Sequence, residues 1–298
     1  MSTPIKHHYN PEFYLSRWTG DDGRLCQFSK PREEIVPNRK YPSQTGFQQR
    51  LYEMADQPPE LAQQVESRFM QPLDTLAAEA LTALEMDDPI MTRDARLRSG
   101  WSRFILSMMM RSPEAIQGLK RGIAAQWEKS IPELEAKYAL ARSPDDSTTL
   151  QEYLGQTELS TEAWAVSLTP RLIDHAKIGD LLNNMRWFIR RIVSDDGEFL
   201  TSDRPVLASR TLTEENAFLF LPIGPKAMFA AVNDIETQRM IEERDSAEQV
   251  RSWNQFLAGR AQRYVYAQDD SMLTFVAEHF GKHRRATPFE KLADRYSS

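Results

Sequence analysis

The sequence predicts an α+β protein, mostly helical, with a small and largely antiparallel sheet built from strands near its two ends. Three observations predict it. Apolar residues recur at steps of three and four across residues 58–184, the period of an amphipathic helix. Short runs rich in aromatic and β-branched residues, bounded by Gly, Pro and Asp, occupy 24–53 and 186–267. No repeat at solenoid period and no long Gly/Ser linker interrupts them, so the 298 residues are expected to form a single domain of three stretches, 1–57, 58–184 and 185–298.

Taken in order, Leu25-Cys26-Gln27-Phe28 and Gln49-Arg50-Leu51-Tyr52 are strand-like, and the Pro-, Lys- and Arg-rich stretch 31–46 between them reads as a loop. Pro58-Pro59-Glu60 suits a first helical turn, and Leu61, Val65, Phe69, Leu73, Leu76, Ala80 and Leu84 carry the helix on, with Pro72 marking a kink. Trp101, Phe104, Ile105, Met108 and Met109 fall on one stripe, which places the next helix in the core. Ser112-Pro113-Glu114 combines an N-cap, a first-turn proline and an early acid, and Ile116, Leu119, Ile123 and Trp127 follow. Ser143-Pro144-Asp145-Asp146 is a loop before further helix, broken near Pro170 and Gly179. Trp187-Phe188-Ile189-Arg190-Arg191-Ile192-Val193, Asp196-Gly197 and Glu198-Phe199-Leu200-Thr201 predict a hairpin over 186–203. A second hairpin joins Ala217–Leu221 to Ala227–Val232 through a Gly/Pro loop. Asp245-Ser246-Ala247-Glu248 starts a helix, Arg263-Tyr264-Val265-Tyr266-Ala267 is a strand, and an amphipathic helix with Leu273, Phe275, Val276 and Phe280 ends the pattern.

Composition narrows the function classes. At 41% hydrophobic residues the chain can bury a sizeable core, and no apolar run approaches the roughly 20 residues of a membrane span, so no membrane partner is expected. The opening Met1-Ser2-Thr3-Pro4-Ile5-Lys6 lacks the apolar core of a secretory signal, and one cysteine, Cys26, excludes an intramolecular disulfide and a cysteine-built zinc site, which makes the cytoplasm the expected compartment. A net charge of −6 disfavours nucleic acid as a partner unless cations are concentrated locally. Two concentrations exist, Arg93, Arg96, Arg98, Arg103 and Arg111 in one segment and Lys282-His283-Arg284-Arg285 near the end, and both read first as solvated faces and a frayed tail, with phosphate contact as the alternative.

Two polar motifs stand out. His7-His8-Tyr9-Asn10-Pro11, with Glu12 beside it, brings metal ligands and acid–base groups together, although adjacent side chains of a strand face opposite ways and only one histidine can aim at a given site. Thr201-Ser202-Asp203-Arg204-Pro205 puts a carboxylate at a strand end, where Thr201 and Ser202 can donate to it or to a bound anion. Each also has a structural reading, a satisfied buried histidine in the first and an Asx- or ST-turn in the second. Glu66 on the first long helix, Arg111 at a helix end and Asn254 on the late helix are further candidates, Glu66 being expected to be solvated. Phosphate-binding, dinucleotide, nucleophile-elbow and His-Glu-x-x-His signatures are absent. With five histidines a mixed His/carboxylate set is the one plausible metal site, and Mg²⁺ or Mn²⁺ the ions it suits.

His7-His8-Tyr9-x-Pro11-x-Phe13-Tyr14-Leu15-x-x-Trp18 resembles the opening signature of the bacterial domain-of-unknown-function family 4238. Phe199-Leu200-Thr201-Ser202-Asp203-x-Pro205-Val206, Leu221-Pro222-Ile223-x-Pro225 and Asn254 are similar to its later landmarks in the same order, although Arg204 stands where that pattern more often has Asn. The resemblance implies that both motifs mark the family; it implies no activity.

Two readings follow. In the first, the protein is a metal-assisted hydrolase of a phosphodiester, nuclease-like, with His7, His8 and Asp203 as the catalytic candidates, His8, Asp203 and Glu66 as the metal ligands, and Thr201, Ser202, Arg111 and Asn254 as the substrate contacts. In the second it is a non-catalytic binding or interaction protein, of a bacterial stress or defence system with protein partners, whose motifs brace the N-terminus against the sheet. Oligomeric state is not legible.

Overall fold

The computed structural model describes residues 5–55, 57–143, 146–154 and 160–297. Residues 1–4 of the opening segment and the Pro144-Asp145 step of the expected loop lie outside the described residues. With 54% of residues in helix and 15% in strand the protein is α+β. Strands β1 (Lys6–His8), β2 (Leu25–Ser29), β3 (Val36–Lys40), β4 (Phe47–Gln49), β5 (Arg186–Arg191), β6 (Thr201–Ser202), β7 (Leu207–Ala208), β8 (Phe218–Gly224), β9 (Ala227–Val232) and β10 (Tyr264–Ala267) form three antiparallel sheets in the orders β1-β4, β3-β2-β10-β6 and β5-β9-β8-β7. The second sheet joins the two ends of the chain, because β10 pairs with both β2 and β6.

The helices between the strands follow the apolar period. In Ala95–Met110 the stripe residues Trp101, Phe104, Ile105 and Met108 are buried, and Asp94 caps the first turn by accepting from the backbone amides of Arg96 and Leu97. Ser112 caps Pro113–Ala141 in the same way. The largest apolar cluster runs from Tyr9, Tyr14 and Trp18 through Trp101 and Phe104 to Leu221, Phe229 and Tyr266, so the helical block and strands from both ends share one core. The arginines of 96–103 are ties between helices. Arg96 pairs with Glu79 and Arg103 with Asp174, while Arg98 lies over the Trp187 ring and donates to the Asn183 and Met185 carbonyls. Among the described residues no helix is long and apolar enough to cross a membrane.

Several local expectations are corrected, each for a physical reason. The stretch 31–46 holds a strand, β3, despite Pro37, because β3 is an edge strand and its unpaired side needs no amide donor. Strand β4 ends at Gln49, and Arg50 turns the chain with φ of 55°. Asp196-Gly197 does not close a hairpin over 186–203. Gly197, at φ of 98°, sends the chain from one sheet to another, so β5 pairs with β9 and β6 with β10. The second hairpin is as expected, with β8 continuing through Gly224 and Pro225-Lys226 as the turn. Pro170 and Gly179 lie inside helices Thr161–Ile173 and Ala176–Asn184, and the break falls at Asp174 and His175. A further helix, Pro288–Ser297, packs on Pro113–Ala141, and a Cβ at Gly118 would lie 2.7 Å from the Glu290 amide nitrogen, so only glycine permits this approach.

The N-terminal segment is fastened to both larger sheets by one phenol. The Tyr14 hydroxyl lies 2.7 Å from Thr201 Oγ1 and donates to the Pro222 carbonyl at 2.8 Å, on the stretch of β8 that β7 leaves uncovered. Tyr14→Phe removes both bonds from buried partners. Urea unfolding of that variant is expected to show a loss of roughly 1–3 kcal/mol with an unchanged circular dichroism spectrum.

Candidate functional site

Strand alternation divides the two histidines as the sequence requires. His7 points inward and is fully buried: Nδ1 accepts the Tyr52 amide at 2.9 Å, which places the ring proton on Nε2, 2.8 Å from Gln63 Oε1. Gln63 in turn donates to Glu53, and the imidazole stacks on Tyr52. His7 is thereby a neutral, satisfied core histidine. His8 faces the other way, its ring edge-on to Phe47 and its Nε2 3.5 Å from Glu12 Oε1 with no hydrogen bond. Burial, and after it the charges of Arg111 and Lys6, push its pKa down to about 4, so the ring is neutral at physiological pH.

His8 lines a groove of about 1130 Å³ whose walls include Glu12, Glu66, Gln71, Asp74 and Lys6. The far wall is the helix that runs into Gln71–Glu85, and its local form sets the site. Residues Glu66–Met70 make a π turn immediately before Pro72. Pro72 has no amide to give an α-helix and its ring would press on the Arg68 carbonyl, and the wider turn removes that conflict. One extra residue in a turn also shifts the phase of the helix by about 100°, which carries Glu66 inward. Glu66 is only 6% exposed, against the solvated position that its one-step offset from the apolar stripe predicts.

Its carboxyl is poorly provided for. Oε1 receives a long 3.4 Å bond from Gln71, and Oε2 is buried without a partner. Burial, with the neighbouring Asp74 charge second, raises the Glu66 pKa to about 7, against a smaller opposing pull from Arg111. Asp74 is itself held above the usual carboxylate range, because burial outweighs its bond to Arg111. Arg111 is fully buried beneath the groove and donates to Asp74 at 2.8 Å, to the Tyr9 carbonyl at 3.0 Å and to Met108 Sδ. It therefore positions the groove wall from below and does not face solvent.

The second motif is elsewhere. Asp203 is buried at the end of β6, where its two oxygens accept the Gln262 and Arg263 amides at 3.0 and 2.6 Å. Those bonds oppose the burial that lifts its pKa to about 6. Thr201 bonds to Tyr14, Ser202 Oγ accepts the Arg204 amide, and Asn254 bridges the Leu200 amide and the Glu198 carbonyl. The two motifs do meet, through Tyr14 and through the Asn10 amide on the Ser202 carbonyl, as parts of one brace. Asp203 does not line the groove of His8 and Glu66. Among the described residues no three His, Cys, Asp or Glu side chains are disposed as a ready-made metal centre, so His8, Glu66 and Asp203 do not form one.

A family model covers nearly all of this architecture, matching residues 6–271, from β1 through the helical block to β10. The chain belongs to the family described as Protein of unknown function (DUF4238). No curated protein and no solved structure matches it. Both polar motifs and every groove residue but Ile5 lie inside the DUF4238 match, and the basic run 282–285 lies beyond it. Gln71 and Asp74 are groove residues that periodicity alone passes over. The signal that marks them is Pro72, a proline inside a helical pattern, with Glu66 earlier and Asp74 later on the same stretch.

The Glu66 shift has a measurable sign. Its folded pKa of about 7 stands above the ordinary 4.5, so between those values the folded state holds a proton that the unfolded chain has released, and stability falls as pH rises through that window. Glu66→Gln keeps the shape and removes the charge. It is expected to match the parent near pH 4 and to exceed it by roughly 1–3 kcal/mol above about pH 7, read from urea unfolding at both ends of the window.

Proposed function

We propose that the groove beside β1 is the active site of a hydrolase, with Glu66 as its proton-transferring acid and His8 as the group that receives the attacking water. The observation that carries this reading is the Glu66 carboxyl, more than nine-tenths buried, with an unpartnered oxygen and a pKa raised to about 7, in the same groove as a neutral imidazole. A group whose pKa lies near the working pH is both protonated often enough to donate and acidic enough to do so usefully. A functional group that costs the folded state stability is also what a reactive site tends to carry.

Phosphodiesters are the substrate class proposed. The water oxygen bonds to phosphorus as its proton passes to His8 Nε2; the phosphorus–oxygen ester bond breaks and the leaving oxygen takes the Glu66 proton. An acidic groove receives a phosphate only with countercharge. Glu12 and Asp74 are the carboxylates that would hold Mg²⁺ or Mn²⁺, ions that keep several waters and need one or two protein oxygens alongside the substrate phosphate. The ion supplies charge neutralisation when bound. Asp203 has no place in this version, because its oxygens are occupied by backbone amides.

A second reading is favoured by a different observation. His7, Thr201, Ser202, Asp203 and Asn254 all bond within the protein, as in a scaffold whose motifs brace the N-terminus and whose role is binding without turnover. Turnover separates the two. Release of nitrophenolate from bis(nitrophenyl) phosphate, and cleavage of single-stranded DNA and RNA, are measured with Mg²⁺ and with Mn²⁺. The hydrolase reading expects activity that Glu66→Gln and His8→Ala each lower by roughly a hundredfold or more, while Asp203→Asn acts on thermal stability. No turnover of any of these substrates with either ion, or an unchanged rate in Glu66→Gln, sinks it.

A further inference from the structure

A second cavity, of about 910 Å³, shares no lining residue with the groove of His8 and Glu66. Its wall is aromatic. Phe218 stacks on Phe220 with centroids 4.7 Å apart and planes 16° from parallel, Phe220 stacks on Trp253 at 4.5 Å, and Trp253 on Phe199 at 5.8 Å. Phe199 ends this stack in the core, whereas Phe218 is half-buried and lines the cavity. Phe256, 51% exposed, and Met240, 65% exposed, extend the apolar wall.

The rim is cationic. Arg244, Arg260, His283, Arg284 and Arg285 line the cavity and no Asp or Glu does, in a chain whose net charge is −6. The basic run 282–285 is not a frayed tail. The Gly281 and His283 amides donate to the Ala258 and Gly259 carbonyls at 2.9 and 2.8 Å, and Arg284 donates to the Gln262 carbonyl. A Cβ on Gly259 would stand 3.0 Å from the His283 ring, so the glycine lets the segment seat closely on helix Ser246–Arg260.

Arg260 and Arg285 also line a smaller cavity of about 70 Å³, together with Arg204 and Ser112. Three arginines thus line one cavity; Arg204 donates to the Arg285 carbonyl at 2.6 Å and to Glu290 at 3.5 Å, and Arg260 donates to the Val206 carbonyl at 3.5 Å. The Nε atoms of Arg204 and Arg260 are buried and unpartnered. Burial, followed by the charges of Arg285 and Arg204, depresses Arg260 below the usual arginine range. These two Nε donors lack an acceptor, and a tetrahedral oxyanion supplies several at once.

We infer that the two cavities form one binding site for a nucleoside phosphate, with the phosphate among Arg204, Arg260 and Arg285 and the flat base continuing the stack at Phe218. The smaller cavity has room for a single oxyanion, and the larger takes a base and sugar. A chain of near-parallel rings that ends in a cavity selects a flat body over a flexible one, because any base presents a π face to it. The site is independent of the proposed hydrolase groove.

Isothermal titration of the full chain with adenosine monophosphate, adenosine, inorganic phosphate and dodecanoate tests it. The monophosphate is expected to bind more tightly than adenosine or phosphate alone. Arg285→Gln, at an exposed position that leaves folding intact, weakens both monophosphate and phosphate by roughly tenfold or more. Phe218→Ala weakens the monophosphate by a similar factor and spares phosphate, and Glu66→Gln changes neither. Dodecanoate binding in place of the monophosphate assigns the cavity to acyl anions and overturns the proposal. Absence of binding by the monophosphate at millimolar concentration, or affinity indifferent to both Arg285→Gln and Phe218→Ala, overturns it equally.

Discussion

The buried charge of Arg111 is the constraint around which the N-terminal half is arranged. A guanidinium taken out of water costs several kcal/mol unless its donors are met, and removal of one partner of such a pair commonly costs about 3–5 kcal/mol. Here two partners come from distant parts of the chain, the Tyr9 carbonyl after β1 and Asp74 on the helix Gln71–Glu85, and a third, Met108, from the preceding turn. The Tyr52 hydroxyl closes the arrangement by donating to the Arg111 carbonyl. The N-terminal segment, the first long helix and the core helix therefore cannot separate without exposing a cation to an apolar interior. The groove of His8 and Glu66 is the outer surface of this junction.

The same charge distributes protonation states across the groove. Arg111 adds to the burial that keeps His8 neutral, and it opposes the burial that keeps Glu66 protonated. Asp74 acts on the other side, accepting from Arg111 while pushing the Glu66 proton on. A neutral imidazole beside a carboxyl poised near pH 7 arises because one cation sits closer to Asp74 than to Glu66, and because the π turn ahead of Pro72 directs Glu66 inward.

Much of the architecture is legible in the sequence where one physical rule acts alone. The Trp101–Met109 stripe, the caps at Ser112 and Asp245 and the β8–β9 hairpin need only local periodicity and turn chemistry. Strand alternation divides His7 from His8 in sequence as it does in space. What is not legible depends on partners far along the chain. Asp196-Gly197 has the form of a hairpin turn, yet β9 takes β5 as its neighbour and β10 takes β6. Glu66 lies one step off an apolar stripe and should be wet, but the phase shift that buries it comes from how the helix accommodates Pro72. Asp203 looks reactive at a strand end until the amides of Gln262 and Arg263 arrive from residues some sixty positions away.

The two candidate sites differ in how they relate to the family. The brace, and the acidic groove apart from Ile5, are built from residues within 6–271, whereas the arginine cavity takes part of its rim from 282–285, after that match ends. The helix Pro288–Ser297 completes this region. It docks on Pro113–Ala141 at Gly118, and it brings Glu290 within 3.5 Å of Arg204. Arg204 follows Asp203 in the second polar motif. Its guanidinium is tied to the C-terminal segment by its bond to the Arg285 carbonyl. Arg204 and the basic segment beyond 271 are thus parts of one structure: a strand-end arginine and a C-terminal run that together concentrate positive charge on an otherwise acidic protein.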